Sequence, residues 1–163
     1  DIIQTTDQWG IDHAATIILE HLFPEANVPV IEFSIDYSQP PEYHYQLGKK
    51  LSPLRNDNIL FIGSGNLIQT FRDMSPEQQI KPFDWAIELD KLQKNALNSK
   101  DIGSLIDYKR WKLSARGFQS NDHYIPMLYI LGMMEEKEYV EYIFDGIQHG
   151  SVSHRSFTFK TLN

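Results

Sequence analysis

The sequence has no cysteine, so disulfides, thiolate metal ligands and cysteine nucleophiles are all excluded. A metal site would have to use histidine together with carboxylate or amide oxygens. The sequence also lacks any apolar run near the roughly 18 residues that cross a bilayer. Its longest runs, such as residues 59–62, have the length of a core strand. We therefore expect no association with a membrane.

Positive charge is scarce as well. Lys and Arg number 15 against 22 Asp and Glu, which gives a net charge of -7 with neutral histidines. This balance argues against a nucleic-acid partner, because phosphate binding needs a surplus of cations on some face. The 163 residues, 41% hydrophobic and 12% aromatic, predict a single folded domain over residues 1–163. No basic segment followed by an apolar run begins the chain, so we expect a cytoplasmic location.

Apolar spacing predicts alternating helices and strands. We predict helices over residues 12–23, 41–55, 83–97, 102–108 and 122–133. We predict strands over residues 28–36 and 58–62, and a C-terminal hairpin of strands 139–144 and 151–159. The order strand, helix, strand from 28 to 62 forms a parallel βαβ unit. The predicted fold class is therefore α/β, with a mainly parallel central sheet, flanking helices and a C-terminal β-hairpin.

Ligands in such folds gather beyond the carboxyl ends of the parallel strands. Asp36 and the turn at 63–66, Gly-Ser-Gly-Asn, follow the two predicted strands and are where we expect chemistry. The turn lacks the third glycine of a dinucleotide fingerprint and the lysine of a P-loop, which argues against a nucleotide. A tight turn that places Gln69 near the carboxyl edge of the sheet is favoured instead.

Two histidines follow aspartates at predicted helix starts, His13 after Asp12 and His123 after Asp122. Each imidazole could be held at one nitrogen while the other faces a shared cleft, which suits acid–base catalysis. The alternative is that they only cap or pack at the helix entries. We expect two of the other histidines, His21 and His44, to be structural or on the surface. We expect His149 and His154, which flank the last strand, to face solvent.

Several motifs in a fixed order resemble one family. They are Trp-Gly-Ile-Asp-His-Ala at 9–14, Phe-Pro-Glu-Ala-Asn-Val-Pro-Val at 23–30, Ser-Ile-Asp at 34–36, His-Tyr-Gln-Leu-Gly-Lys at 44–49, Leu-Ser-Pro-Leu-Arg at 51–55, Ile-Gly-Ser-Gly-Asn at 62–66, Trp-Ala at 85–86, Asp-His-Tyr-Ile-Pro-Met-Leu at 122–128 and Gly-Ser-Val-Ser at 150–153. Together they resemble the C-terminal two thirds of the class III extradiol ring-cleaving dioxygenases, in the 4,5-DOPA dioxygenase branch. The resemblance covers nearly the whole chain and implies the C-terminal part of a larger catalytic domain.

The resemblance implies an extradiol ring-cleaving dioxygenase that uses non-haem Fe(II) and O2 on a catechol-type aromatic, sometimes isolated with zinc. It implies that His13 is an active-site acid or base and that His123, near the metal and substrate, is a second base, a carboxylate contact or a metal ligand. It places Asp12, Asn66 and Ser151 on the substrate side.

The sequence departs from the family at the metal site. Family members usually have a histidine ligand where this chain has Gln69, and the other two metal-binding histidines lie in the family's N-terminal segment. An amide oxygen is a weaker ligand than imidazole for Fe(II) or zinc. Two alternatives therefore stay open. One is a non-catalytic relative or fragment that binds a small aromatic or a protein partner, and the other is a fragment that self-associates as a homo-oligomer through an exposed sheet edge.

Overall fold

The computed structural model describes residues 5–162 and combines helices with short antiparallel strands. The chain divides into a first unit, Asp1–Ile35, and a second unit, Asp36–Asn163. The helices are α1 (His13–Leu22), α2 (Pro41–Leu51), α3 (Asp84–Asn98), α4 (Ile102–Ile106), α5 (Ser114–Gly117) and α6 (Ile125–Gly132), with 3₁₀ helices at Ser52–Asp57 and Tyr108–Arg110. The strands are β1 (Glu138–Phe144), β2 (Ile147–Gln148), β3 (Val152–Ser153) and β4 (Ser156–Thr161).

The first unit contains one helix, α1, whose start was predicted. The Asp12 side chain accepts a hydrogen bond from the Ala15 backbone N–H at 2.7 Å, as expected for an N-cap. The predicted strand over 28–36 is wrong. Residues 28–35, which belong to this unit, form no β-strand. A strand is stabilised by its ladder with a neighbour, and the described part of this unit offers no segment that pairs with it.

The second unit is organised by the crossing of α2 and α6, where two glycines allow the backbones to touch. A Cβ atom on Gly48 would lie 2.2 Å from the Tyr129 carbonyl oxygen, and one on Gly132 would lie 2.2 Å from the Tyr45 carbonyl oxygen. Either substitution would force the helices apart. The main core beside this crossing contains Leu67, Ala96, Leu97, Leu105, Tyr108, Tyr124, Met127, Leu128 and Leu131.

Helix α3 confirms the predicted helix over 83–97 and buries a second apolar cluster. Trp85, Ala86 and Leu89 pack with Ile68. Its buried face also carries Gln93, whose side-chain amide donates to the Leu67 carbonyl oxygen at 2.6 Å. The helix thereby ties the segment around residues 67–68 to the core.

The predicted C-terminal hairpin is confirmed, because β1 and β4 pair antiparallel from Glu138 opposite Thr161 to Phe144 opposite Ser156. A second small antiparallel pair, β2 with β3, lies within the connection. The predicted strand over 58–62 is not formed. Among residues 5–162 the parallel pairing is limited to one bridge, between Gln69 and Phe118, so a parallel central sheet is absent from the described residues.

Helix α6 begins three residues later than the Asp122 start that the sequence predicted. The Asn121 carbonyl oxygen accepts from the Tyr124 N–H at 3.1 Å and from the Ile125 N–H at 2.9 Å, which closes a turn before the helix. Pro126 then sits in the first turn, where its missing N–H costs nothing. Asp122 and His123 therefore belong to the preceding turn. Across the described residues, none of the helices combines the length and apolarity that a bilayer crossing requires.

Candidate functional site

The turn at 63–66 lies directly against the loop that carries His123. A Cβ atom on Gly65 would be 2.1 Å from the His123 carbonyl oxygen, and that oxygen accepts from the Asn66 N–H at 3.1 Å. A Cβ atom on Gly63 would lie 2.9 Å from the Pro126 carbonyl oxygen. The glycines therefore permit close backbone packing and do not form a phosphate cradle. Sequence reasoning placed Asn66 and His123 at one site, and the structure brings them together.

A third segment joins this arrangement through the Asn66 side chain. Its Nδ2 donates to the Ser153 carbonyl oxygen at 3.1 Å, and the Ser153 N–H donates to the Ile68 carbonyl oxygen at 3.1 Å. We call the meeting of residues 63–69, 122–124 and 151–155 the Asn66 junction. It fixes three separate parts of the second unit relative to one another.

The His123 ring reaches solvent from this junction, with 40% of its side chain exposed. Its Nε2 lies 3.8 Å from Oδ2 of Asp122. Burial acts to raise the pKa of Asp122, but the hydrogen bond from the Ser120 hydroxyl and the charge of His123 outweigh it, so this pKa lies below its ordinary value. A carboxylate therefore lies beside an accessible imidazole, whose ring nitrogens can donate or accept a hydrogen bond.

Gln69 has a fixed backbone and a buried side-chain oxygen without a partner. Its N–H donates to the Gly117 carbonyl oxygen at 3.1 Å, and its own carbonyl oxygen accepts from Gln119 at 3.5 Å. Its Oε1 is buried and accepts no hydrogen bond from the described residues. A buried amide oxygen without a donor costs about 1–3 kcal/mol. The Gln69 side chain therefore places an unpaired amide oxygen inside the second unit.

The residues present do not by themselves fit an iron or zinc ion. Within residues 5–162, three or more His, Asp or Glu side chains nowhere gather closely enough to hold a metal. Gln69 and His123 were the two second-unit residues predicted near a metal, and His123 belongs to no such group among the described residues. A neutral amide oxygen is also a poor substitute for imidazole. We therefore derive no chemical step through a metal ion.

Buried polar side chains, among them Ser151 and the partners of Asp90, lie beneath the Asn66 junction. Ser151 is fully buried and its Oγ has no partner among the described side chains and backbone. Ser153 donates from its Oγ to Asp90 on α3 at 2.8 Å. Arg155, whose side chain is 2% exposed, pairs with Asp90 and with Asp145. Ser151 thus lies beneath the surface of the junction.

Sequence reasoning missed the pair of Asp90 and Arg155. The available signal was the α3 pattern, since Gln93 occurs among the buried apolar positions and Asp90 precedes it by three residues, on the same side of the helix. A polar residue at a core-facing helical position requires a buried partner. The partner itself, Arg155, could be identified only from the folded chain.

Two of the remaining histidines are not where the sequence placed them. His149 and His154 were expected to face solvent, but both are half-buried. His149 Nδ1 lies 2.9 Å from the Ser75 carbonyl oxygen, and burial lowers the pKa of His154. His44 was expected to be structural or exposed, and it is fully buried on α2 with Nδ1 2.8 Å from the Tyr129 hydroxyl.

Asp12 and His13 belong to the first unit. His13 is the first residue of α1 and is exposed. The Ala15 N–H lowers the pKa of the Asp12 carboxyl, and the Asp12 N–H donates to Oε2 of Glu32 at 3.2 Å. The Asp12 carboxylate therefore acts as a helix cap here, and His13 presents its ring at the helix start.

The chain is similar to proteins that are named as ring-opening dioxygenases. A family model described as the catalytic LigB subunit of aromatic ring-opening dioxygenase matches residues 1–159. A 4,5-DOPA dioxygenase extradiol of Escherichia coli K12 is 29% identical over 150 residues, which cover 90% of this chain and 55% of that protein. A second, from Mirabilis jalapa, is 35% identical over 127 residues, which cover 76% of this chain and 46% of the relative.

A solved structure agrees with these matches. The crystal structure of an uncharacterized protein from Escherichia coli K12 superimposes with a TM-score of 0.86 at 29% identity, covering 94% of this chain and 64% of that one. Because the family model matches almost the entire sequence, the chain belongs to the family of catalytic LigB subunits of aromatic ring-opening dioxygenases. It spans about half the length of the curated relatives it matches.

Proposed function

We propose that this chain is part of an extradiol ring-cleaving dioxygenase that acts on a catechol-type aromatic with O2. The observation that carries the proposal is the His123 ring, which is partly exposed beside Asp122 while its backbone is locked by Gly65 and Asn66. The family match supports the reaction class. The proposal treats residues 1–163 as part of one catalytic domain in the cytoplasm.

In this proposal the imidazole of His123 holds or moves a proton at Nε2. Ring opening of a catechol requires its hydroxyl groups to lose protons, and an imidazole backed by a carboxylate can accept one and remain paired as a cation. His13 is proposed as a second acid–base group, since its ring is exposed at the start of α1. Asn66 keeps the His123 backbone in place through its N–H.

We propose that Asp12, Asn66 and Ser151 contact the substrate. Each of these side chains is also buried or engaged in a hydrogen bond within the protein. The Asp12 carboxylate caps α1, the Asn66 amide donates to Ser153, and Ser151 is fully buried. Asn66 retains its Oδ1 as an acceptor for a substrate hydroxyl. Fe(II) and zinc stay predictions of the family resemblance, because the described residues lack a complete site.

The test is oxygen consumption with catechol and added Fe(II) by the full-length protein that contains this chain, corrected for a blank without protein. We expect uptake that falls at least tenfold in His123→Gln, because the acid–base group is worth about 10²–10⁴ in rate. His21→Gln is the matched control, since His21 is an exposed helical histidine with its ring bonded to its own helix. Uptake that is equal to the blank, or unchanged in His123→Gln, would contradict the proposal.

A second function is favoured by one observation, the buried Gln69 Oε1 without a donor. A non-catalytic relative would bind a phenolic ligand there without a metal, since a phenol hydroxyl can donate to an amide oxygen. Calorimetric titration with catechol in the presence of a chelator separates the two functions. Binding that is equally tight with and without chelator, together with no oxygen uptake, would establish this second function.

A further inference from the structure

Two polar residues of helix α3, Asp90 and Gln93, hold separate segments of the Asn66 junction. Gln93 Nε2 donates to the Leu67 carbonyl oxygen at 2.6 Å. Asp90 Oδ1 accepts a hydrogen bond from the Ser153 hydroxyl at 2.8 Å. Helix α3 is therefore a common support for both segments.

Asp90 is itself held in place by Arg155. Arg155 Nε donates to Asp90 Oδ1 at 3.3 Å, and Arg155 Nη2 donates to Oδ2 of the same carboxylate. The Arg155 side chain is 2% exposed and the Asp90 side chain is 13% exposed. A planar guanidinium that meets a carboxylate at two points fixes its orientation as well as its distance. The Ser153 hydroxyl therefore donates to an oxygen whose position is set by both α3 and Arg155.

Overall stability is a weak explanation for a buried ion pair at this position. Moving a guanidinium and a carboxylate out of water is unfavourable, and apolar residues of similar volume often stabilise a protein equally well or better. An apolar pair, however, could not accept a hydrogen bond from the Ser153 hydroxyl. The pair of Asp90 and Arg155 therefore has a geometric role.

A continuous series of hydrogen bonds leads from Asp90 to the backbone of His123. Ser153, whose hydroxyl donates to Asp90, accepts at its carbonyl oxygen from Asn66 Nδ2 at 3.1 Å. The Asn66 N–H then donates to the His123 carbonyl oxygen at 3.1 Å. Asn66 thus connects the two ends through its side chain and its backbone. A displacement of Ser153 is therefore expected to displace the His123 backbone.

We propose that Asp90, held by Arg155, is a positioning residue for His123. It acts on this histidine through Ser153 and Asn66, and it sets where the loop that carries the imidazole lies. The catalytic meaning of this role rests on the proposed function, in which His123 moves a proton. The positioning itself depends only on the hydrogen bonds between these residues.

Hydrogen exchange in the full-length protein that contains this chain tests the proposal with Asp90→Asn. An amide has one acceptor oxygen where the carboxylate has two, so either Ser153 or Arg155 loses its partner. We expect the Asn66 N–H to exchange at least about tenfold faster, while the amides of α2 keep their rates. Glu88→Gln is the matched control, because it makes the same change at an exposed position of α3. It should leave the Asn66 rate unchanged.

Ser153→Ala is a second and smaller change. It removes the hydroxyl that donates to Asp90 and keeps the carbonyl oxygen that accepts from Asn66. Asn66 should again exchange faster, and adding Asp90→Asn should raise the rate by less than about twofold more, since both changes break one series of bonds. Exchange that rises equally in α2, or effects that multiply in the double variant, would overturn the proposal.

Oxygen uptake with catechol and added Fe(II) separates this proposal from the proposed function. In a parent protein that consumes oxygen, Asp90→Asn should lower kcat at least about tenfold and leave KM within about twofold, because a misplaced reacting group slows the chemical step. An unchanged kcat would overturn the catalytic meaning of the positioning. A parent that consumes no oxygen would overturn the proposed function, and the exchange rates would then decide by themselves whether Asp90 positions His123.

Discussion

Replacing Gly65 with alanine is expected to displace the loop that carries His123. The new Cβ would lie 2.1 Å from the His123 carbonyl oxygen, whereas an ordinary contact needs at least 3.4 Å. The two backbones therefore have to separate by more than an ångström. Overpacking of this kind costs about 1–3 kcal/mol, and loss of the Asn66 to His123 hydrogen bond adds about 0.5–1.5 kcal/mol. We expect the free energy of unfolding to fall by about 2–4 kcal/mol.

Urea unfolding at pH 7 measures this change, and the His123 ring resonances in an NMR spectrum report the position of the loop. Gly103→Ala is the matched control, because its Cβ would meet nothing closer than 3.7 Å and it lies within α4. That variant should be unchanged or more stable by up to about 1 kcal/mol, the helix propensity difference between the two residues. A Gly65→Ala protein within 0.5 kcal/mol of the parent, with unshifted His123 resonances, would refute the reasoning.

Two further predictions concern named carboxylates. Glu138→Gln should lower the free energy of unfolding at pH 7 by about 2 kcal/mol, because it removes the charge and one of the two oxygens that accept hydrogen bonds from Arg55. These bonds lower the pKa of Glu138 from its ordinary value of 4.5, so the parent alone should lose this stability as the pH falls below 4.5, measured by urea unfolding at several pH values. Asp12→Ala should cost about 1 kcal/mol of α1 stability, seen as faster amide exchange in that helix, whereas equal exchange would contradict the capping role.

Local signals predicted the helices well, because their determinants lie within a few residues of one another. Asp12 caps α1 through an N–H three residues away, and the apolar stripe of α3 predicted its length closely. The C-terminal hairpin was also predicted, since β1 and β4 are close in sequence and pair through alternating residues. In these places propensity and packing agree.

Longer-range contacts explain the failures. The strands over 28–36 and 58–62 have strand composition, but a strand also requires a neighbour, and the described residues of each unit provide none. Helix α6 starts later than predicted because the Asn121 carbonyl oxygen closes a turn that includes His123. The prediction that His154 faces solvent was wrong, because the next residue, Arg155, is buried in an ion pair with Asp90.

The sequence by itself determined the family, the two aspartate–histidine pairs and the helices that begin beside or after them. Motifs and helical periodicity involve residues that are close in sequence, so both can be recognised without knowledge of the fold. Only the tertiary structure decided that Gly65 and Asn66 hold the His123 backbone, that Ser151 is buried and that Gln69 keeps an unpartnered oxygen. These outcomes depend on which distant segments share space, and packing between segments far apart in the chain is what a local pattern does not encode.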